Sequence, residues 1–209
     1  MNYKLFIFLI IINLSLKVSG QSFEGKLIYR YEDVYLDSTI KAKTIQLFGN
    51  DFLDQKQNSL TLYTIKGQNI IGEKRNNLGG LEYKFYQNGK EAYLLTEGGR
   101  KMDYAGLMSE NLENIRRVQK SKEFKEIQGY QCRRYEYVID GEGTQITAWI
   151  AEAIPYDKRR QSERFFQLFF LPDGLALEKR MIYPTAERVW TLQSIEIGPM
   201  PDALFQQGN

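Results

Sequence analysis

The sequence predicts an α+β fold in which an antiparallel sheet is covered on its concave side by two helical segments. Short stretches of alternating polar and apolar residues recur along the chain, and turn sequences such as Asn88-Gly89 and Pro172-Asp173-Gly174 join them. Strands joined by tight turns must run antiparallel. The chain also has 14 tyrosines and 12 phenylalanines, which favour strands, and two stretches with a different period interrupt the strand pattern.

The first twenty residues are organised like an export signal. MNYK precedes the apolar stretch LFIFLIIINLSL, and KVSG places small residues at positions 18 and 20. This apolar stretch is shorter than the roughly twenty residues that a membrane-spanning helix needs. We therefore predict a signal peptide over residues 1–20, cleaved after Gly20. Residues 21–209 are predicted to form a single domain, periplasmic or secreted, that is not an integral membrane protein.

Composition excludes several classes of function. The chain has 28 Lys and Arg against 26 Asp and Glu, but two of the basic residues, Lys4 and Lys17, lie in the predicted signal peptide. The remainder is electroneutral and has no overall field that would attract nucleic acid, so no nucleic-acid partner is predicted. Histidine, the commonest general base and zinc ligand, is absent. We predict that the protein binds no cofactor or metal and that it is not an enzyme. An enzymatic activity based on carboxylate or tyrosine side chains is the alternative.

Strand patterns are clearest in the first half of the chain. FEGKLIYRYED alternates, with Phe23, Leu27, Tyr29 and Tyr31 on one face. KAKTIQLF and SLTLYTI are further strand candidates. LEYKFY and EAYLL flank Asn88-Gly89 and predict a hairpin, after which Gly98-Gly99 turns the chain towards RKMDYAG.

The period changes at residues 107–119. Leu112, Ile115 and Val118 recur at every third position, and Ser109 suits a helix N-cap. Acidic residues come early in this stretch and basic residues late, which complements the helix dipole. We predict one amphipathic helix here.

The second half of the chain predicts another hairpin, a crossover and two final strands. QCRRYEYVID and TQITAWIA flank the turn DGEG. YDKRRQSERFFQLFFL, basic at first and then rich in phenylalanine, is predicted to be a helix or a lid-like crossover. LALEKRMIY and ERVWTLQSIEI are the last two predicted strands.

This phenylalanine-rich segment is the best candidate for a ligand site, and it has two interpretations. As a lid, it would line or close a greasy cavity or contact lipid. As ordinary core, it would pack on the sheet. The predicted lining of the site consists of Tyr135, Tyr137, Trp149, Phe165, Phe166, Phe169 and Phe170.

Cys132 is the one cysteine of the chain. A reactive thiol needs a helix N-terminus or cations nearby. Because neighbouring strand residues point to opposite faces, only one of Arg133 and Arg134 can approach the sulfur. We interpret Cys132 as a small buried core residue, with a reactive thiol or a link to a second chain as alternatives.

Two pairs of carboxylates are candidates for metal ligands. The pair in DGEG, residues 140–143, offers few of the oxygens that calcium needs, so a turn is preferred. Glu110 and Glu113 lie three residues apart on the predicted helix, without a histidine to complete a site. A solvated helix face is the preferred interpretation.

Residues 124–155, FKEIQGYQCRRYEYVIDGEGTQITAWIAEAIP, resemble the bacterial domain-of-unknown-function 4412 family. The motif positions that match are Gly129, Tyr130, Cys132 and Trp149. FEGKLIYRY and SIEIGPMPDALFQ are similar to the opening and closing strands of that family. ITAWIAEAIP is also similar to a related family named for a Gly-Leu-Pro-Gly-Leu-Ile hexapeptide, which this chain lacks.

The resemblance implies the fold of outer-membrane lipoprotein carriers, a strongly curved antiparallel sheet or half-barrel that holds acyl chains in its hollow. Our leading hypothesis is an exported envelope protein that binds a hydrophobic ligand, such as an acyl chain or a lipoprotein segment. The alternative is an interaction module that docks another envelope protein without a small ligand. A hollow filled by the protein's own Phe and Tyr side chains, beside a contiguous exposed apolar patch, would favour the alternative.

Overall fold

The computed structural model describes residues 23–88, 91–96, 100–103, 115–140, 144–156 and 169–206. Within these ranges the chain forms twelve strands, two α-helices and one short 3-10 helix. The helices are α1 (Ser38–Phe48) and α2 (Asn50–Lys56), and the 3-10 helix spans Asp202–Phe205. In chain order the strands are β1 (Gly25–Tyr35), β2 (Ser59–Lys66), β3 (Asn69–Arg75), β4 (Leu81–Asn88), β5 (Glu91–Thr96), β6 (Lys101–Asp103), β7 (Ile115–Ile127), β8 (Tyr130–Ile139), β9 (Gln145–Ala151), β10 (Phe170–Leu171), β11 (Gly174–Ile182) and β12 (Ala186–Ile197).

All of these strands belong to one antiparallel sheet. Its order is β6-β5-β4-β3-β2-β1-β12-β11-β9-β8-β7, and β10 pairs with β11 beside this path. The first and last strands pair with each other at the centre, from Gly25 opposite Ile197 to Tyr35 opposite Ala186. β6 and β7 lie at the two ends of the order, so the described sheet is open. A mostly antiparallel sheet with little helix confirms the predicted fold class at this level.

The ladders contain irregularities near the centre of the sheet. The register shifts between Ile28 and Tyr29 in β1 and between Ala176 and Glu178 in β11. Bulges of this kind kink a strand and increase its twist. The hydroxyl of Tyr29 donates a hydrogen bond of 2.8 Å to the backbone oxygen of Ala176, although β12 lies between the two strands. A side chain spans two strand spacings most readily where the sheet curls towards it.

The predicted hairpins are confirmed by the strand pairings. β4 pairs with β5 and β8 pairs with β9, although turn residues 89–90 and 141–143 lie outside the described residues. β7 and β8 are joined by Gln128 and Gly129, which have φ of 51° and 78°. Two successive positive φ values define the turn that fits the twist of a two-residue hairpin, and glycine adopts them without strain. This explains the glycine in the sequence motif IQGYQC.

The prediction of a strand at KAKTIQLF was wrong, because this stretch forms most of α1. The side chain of Asp37 caps the helix, accepting hydrogen bonds from the backbone N–H of Thr39 at 2.7 Å and of Ile40 at 3.3 Å. The helix ends at Gly49, whose φ is 83°. Caps at both ends stabilise the helix more strongly than the short alternating pattern favours a strand. The sequence reading missed the capping aspartate.

The helix predicted over residues 107–119 was also wrong where the structure describes it, because Ile115–Ile127 is strand β7. The register shifts between Arg117 and Gln119, which leaves Val118 as an extra residue with 59% of its surface exposed. A bulge adds one residue to a strand whose side chains otherwise alternate with a period of two. The extra residue produces a spacing of three between apolar residues, which resembles the spacing on a helix. Leu112, Ser109, Glu110 and Glu113 lie outside the described residues.

The second predicted helical segment is only partly described. Residues 157–168 lie outside the described ranges, Phe169 is in a turn, and Phe170 begins β10. The described α-helices are instead α1 and α2, which follow β1, so the structure does not show two helices at the predicted positions. The turn at Pro172-Asp173-Gly174 is confirmed, since it joins β10 to β11.

The core consists of two clusters of buried residues. The first extends from β1–β5 to the start of β8 and includes Phe169, Phe170, Leu175 and Leu177 near β10 and β11. The second is formed mainly by β8, β9 and β11. Trp190 of β12 packs against both clusters. Cys132 belongs to the first cluster, whereas Tyr135 and Tyr137 belong to the second.

Candidate functional site

The most distinctive part of the first cluster is a group of aromatic rings centred on Phe169. The Phe169 ring stacks on Tyr29 with 5.1 Å between centroids, and meets Tyr63 edge-on at 3.8 Å. Tyr63 in turn contacts Phe85 at 5.2 Å. These four side chains are buried. We call this group, together with Phe23, Tyr156 and Phe170, the aromatic interior.

A glycine makes room for one of these rings. In the ladders, Gly72 of β3 lies opposite Tyr63 of β2 on one side and opposite Phe85 of β4 on the other. A Cβ atom on Gly72 would lie 1.7 Å from the Phe85 ring, so the ring lies directly over the glycine backbone. The missing side chain therefore lets Phe85 reach Tyr63 across β3.

Phe169, in the turn before the short strand β10, and Phe170, at the start of β10, both belong to this group. The backbone N–H of Ala176 donates to the carbonyl of Phe169 at 2.8 Å. The Phe170 ring packs against Phe23 at 5.6 Å and stacks on Tyr156 at 5.5 Å. Only two residues of β10 are paired with the sheet, so few backbone hydrogen bonds hold these two large side chains in place.

The aromatic interior is electrically neutral. Burial raises the pKa of Tyr29 well above its ordinary value, with a smaller contribution from Cys132. Its hydroxyl is bonded to the carbonyl of Ala176 rather than directed at a ligand. Within the described part of the chain, this region of the core is thus filled by the protein's own Phe and Tyr side chains, as the interaction-module alternative expects.

Two other predicted lining residues, Tyr135 and Tyr137, lie in the second cluster. Their rings stack on each other with 6.0 Å between centroids. The Tyr137 hydroxyl donates to Asp173 at 3.1 Å, and Arg117 lies 2.6 Å from the other oxygen of this carboxylate. Burial and then the charge of Asp173 raise the pKa of Tyr137. This tyrosine is therefore held as a neutral hydrogen-bond donor.

Tyr135 is part of a similar arrangement. Its hydroxyl donates to Glu152, which also lies 3.3 Å from Lys120 Nζ and 3.5 Å from Arg133 Nε. Burial favours the protonated form of Glu152, but the hydrogen bonds from Tyr135 and Lys120 and the nearby cations hold its pKa below the ordinary value. Each tyrosine hydroxyl is matched to a carboxylate and each carboxylate to a cation. The arrangement ties β7, β8 and the β10–β11 turn together.

Trp149, the third predicted lining residue on these strands, is partly buried against the first cluster. Lys125 Nζ lies 4.4 Å from the centre of its ring and 2.7 Å from Glu178 Oε2. The predicted lining residues are therefore divided between separate clusters. Phe169 and Phe170 lie in the aromatic interior, whereas Phe165 and Phe166 lie outside the described residues.

Cys132 is fully buried in the first cluster, and its thiol donates to the backbone oxygen of Tyr130 at 3.4 Å. Burial is the largest cause that raises its pKa from 9.0 to about 11, although Lys125 acts in the opposite direction. The buried interpretation of Cys132 is confirmed. Stability linked to this group is complete below the ordinary thiol pKa and decreases as the pH rises towards 11.

We expect Cys132 to be nearly inert in the folded protein. At pH 8, iodoacetamide should modify it roughly 100-fold more slowly in buffer than in concentrated urea, because burial suppresses both access and the thiolate. Mass spectrometry of quenched time points measures both rates. Rapid modification in buffer would show that the thiol is exposed and activated.

The described ranges contain no group of three or more Cys, Asp or Glu side chains arranged to hold a metal ion. They also contain no helix with the length and apolar character needed to cross a membrane. The expected absence of a metal and a cofactor remains a prediction.

Several large apolar side chains are exposed at the end of the sheet that carries the helices. Leu47 and Phe48 at the end of α1 are 74% and 60% exposed, and Leu36 after β1 is 53% exposed. Leu78, in the turn between β3 and β4, is also exposed, and its neighbour Asn77 donates to the backbone oxygen of Asp54 in α2 at 2.6 Å. These residues, Leu36, Leu47, Phe48 and Leu78, are called the helix-side apolar residues.

No protein-family model and no curated protein matches the chain. Among solved structures, PNGF-II in its C2 crystal form is similar with a TM-score of 0.39 and 11% identity, over 88% of this chain and 30% of that one. LprF from Mycobacterium bovis is similar with a TM-score of 0.37 and 12% identity, over 85% and 88% of the two chains. The chain therefore spans under a third of PNGF-II. Similarities at this level assign neither a family nor a function.

Sequence reasoning identified only Phe169 and Phe170 of the seven residues of the aromatic interior. Tyr29, Tyr63 and Phe85 were assigned to strands but not to one site, because their contact depends on strand register. The one sequence signal for it was Gly72, an isolated glycine inside a strand pattern, which often marks a close approach.

Proposed function

We propose that this chain is an exported envelope protein that binds a hydrophobic ligand, such as an acyl chain, in the space that the Phe169 ring occupies in the structure. The observation that carries the proposal is the position of Phe169. Its ring is the centre of a buried aromatic group, yet Phe169 lies in the turn before β10, a strand with only two paired residues. Few backbone hydrogen bonds therefore oppose its displacement.

The energies of such an exchange are comparable. Burying a phenylalanine side chain contributes about 1.5–3 kcal/mol, and each buried methylene about 0.8 kcal/mol. An acyl chain that buries more than about four methylenes among Tyr29, Tyr63 and Phe85 thus compensates for the displaced ring. Because the hydroxyls of Tyr29 and Tyr156 already donate to backbone carbonyls, the binding would be selected by apolar area.

Export and family membership belong to this proposal. The pattern of residues 1–20 supports a signal peptide and hence a periplasmic or secreted location. The motif residues support a relationship with the 4412 family. Gly129 forms the β7–β8 turn, and Tyr130, Cys132 and Trp149 all belong to or pack against the first cluster. These positions have structural rather than chemical roles.

The proposal is tested with the full chain, expressed with its own N-terminal segment and purified from the host. Native mass spectrometry examines whether lipid co-purifies, and a fluorescent fatty acid measures binding directly. We expect saturable binding that is stronger for Phe169→Leu, because a smaller side chain is easier to displace. Phe124→Leu on β7 is the matched control, since Phe124 lies outside the aromatic interior, and it should bind like the unaltered protein.

Two results would contradict the proposal. One is the absence of both co-purified lipid and fatty-acid binding in the unaltered protein and in Phe169→Leu. The other is binding that both substitutions change equally, which would place the ligand elsewhere.

A second candidate function, docking of another envelope protein, is favoured by the helix-side apolar residues together with the filled hollow. It predicts that Leu47→Ser and Phe48→Ser weaken a protein contact in the envelope, measured by cross-linking in intact cells, and leave fatty-acid binding unchanged.

A further inference from the structure

A cleft of about 320 Å³ lies where the end of β1 meets α1 and the turn that follows α2. It is separate from the aromatic interior, and nothing in the proposed function uses it. Its volume is at the lower end of the range for small-molecule sites. Unlike most such sites it is lined mainly by polar side chains, chiefly those of Glu32, Asp33, Tyr35, Lys41, Gln57 and Asn58.

Each of the two carboxylates that line the cleft lies beside an arginine side chain. Glu32 Oε1 lies 3.0 Å from Arg30 Nε. Asp33 Oδ1 accepts a hydrogen bond of 2.6 Å from the Tyr31 hydroxyl and lies 3.7 Å from Arg188 Nε. Each carboxylate is thus partly neutralised and oriented. Its second oxygen has no partner within the described part of the chain.

The opposite wall supplies groups that both donate and accept hydrogen bonds. Gln57 and Asn58 follow α2, and neither side-chain amide is bonded to another described residue. Asn58 has a φ of 62°, a conformation that asparagine tolerates better than most residues. Lys41, on α1, contributes an ammonium group without a described ion-pair partner. These donors and acceptors are available to a ligand.

Ser59 adds a buried polar group next to this wall. It directly follows Asn58 and lies opposite Tyr31 in the β1–β2 ladder. Its hydroxyl is buried and has no hydrogen-bond partner among the described residues. A buried hydroxyl without a partner is unfavourable, but Ser59 does not line the cleft, so it is not counted among the groups that meet the ligand.

We propose that this cleft binds a small neutral polyhydroxylated molecule, such as a monosaccharide or a disaccharide. An anion would meet the carboxylates of Glu32 and Asp33, and a cation would meet the ammonium of Lys41. A neutral hydroxyl both donates and accepts, so it can pair with carboxylate, amide and ammonium groups in turn. The partly exposed ring of Tyr35 gives one apolar surface against which a sugar ring can pack.

The test uses the full chain, isotopically labelled, with glucose, N-acetylglucosamine and maltose added in separate NMR titrations. We expect saturable shifts of the backbone signals of residues 32–35, 41 and 57–59. The charged analogues glucuronate and glucosamine should bind at least about 3-fold more weakly, because each brings a like charge to one wall of the cleft.

Two variants locate the site. Gln57→Leu removes one amide, and Asn58→Gly removes the other while still permitting the positive φ. Each should weaken sugar binding by about 2- to 12-fold, the effect of one neutral hydrogen bond. Gln131→Leu, at an exposed glutamine of β8, is the matched control and should bind normally. All three should bind the fluorescent fatty acid like the unaltered protein, so this test and that of the proposed function fail separately.

Three results would overturn the proposal. Absence of binding by every neutral sugar overturns the proposal, as does stronger binding of glucosamine or of glucuronate, which would make the cleft a cation or an anion site. Equal binding by Gln57→Leu, Asn58→Gly and the control also overturns it, because the sugar would then lie elsewhere. Circular dichroism establishes that each variant is folded.

Discussion

Replacing Phe169 with alanine should lower the free energy of unfolding by about 3–5 kcal/mol, the range found for truncating a buried phenylalanine. The ring is 2% exposed and contacts Tyr29 and Tyr63 from two different strands. Its removal takes apolar surface out of the core and leaves a cavity, and it also ends both ring contacts. Few other single substitutions in the described residues remove as much packing at once.

Urea unfolding followed by tyrosine and tryptophan fluorescence measures this change. Phe124→Ala is the control, because Phe124 is about half exposed on β7 and its ring lies 4.4 Å from the Arg133 guanidinium, so its loss should cost about 1 kcal/mol. A fatty acid that binds in the space of the ring should raise the unfolding midpoint of Phe169→Ala more than that of the unaltered protein. Equal destabilisation by the two alanine variants would show that Phe169 is not central to the core.

The second large effect is expected from Gly72→Ala. One added methyl group is a small change, but here its carbon would lie 1.7 Å from the Phe85 ring, far inside contact distance. The ring must turn away from Gly72, which disturbs its packing on Tyr63. Overpacking of this kind lowers the free energy of unfolding by about 1–3 kcal/mol.

A double variant identifies the cause. If the clash with Phe85 is responsible, Gly72→Ala should be less harmful when combined with Phe85→Leu, and the two effects should be clearly non-additive. Gly198→Ala is the control, since a Cβ atom there would meet nothing within 4 Å. Additive effects of the pair would mean that Gly72 is needed for a reason other than this ring.

Sequence patterns were a good guide to strands and a poor guide to helices. Alternation in FEGKLIYRYED, SLTLYTI and QCRRYEYVID identified β1, β2 and β8, because strands with one buried face require a period of two. Asn88-Gly89 and Pro172-Asp173-Gly174 located two turns. The helix at α1 was missed because its signal is the cap at Asp37 rather than its periodicity. At Val118 a bulge gave a helical spacing to residues of strand β7, so a helix was predicted where the structure has a strand.

The candidate site was predictable only in part. Phe169 and Phe170 were identified from the density of phenylalanine in their segment. Their partners Tyr29, Tyr63 and Phe85 come from three other strands, and which residues meet is determined by register and by the extra residue Gln193 of β12 in the β1–β12 ladder. Tyr135 and Tyr137 were grouped with the site because of residue type. Their hydroxyls instead pair with Glu152 and Asp173, a match that no local pattern reveals.

The pairing of β1 with β12 has a consequence for biogenesis. β1 and β12 are separated by most of the chain, and their pairing forms the centre of the sheet. The two halves of the sheet therefore cannot join until β12 has been synthesised. For a polypeptide that is threaded through a translocation channel, late completion is useful, since a chain that folds slowly remains extended during transit. Slow folding of this long-range sheet would suit the exported location proposed above.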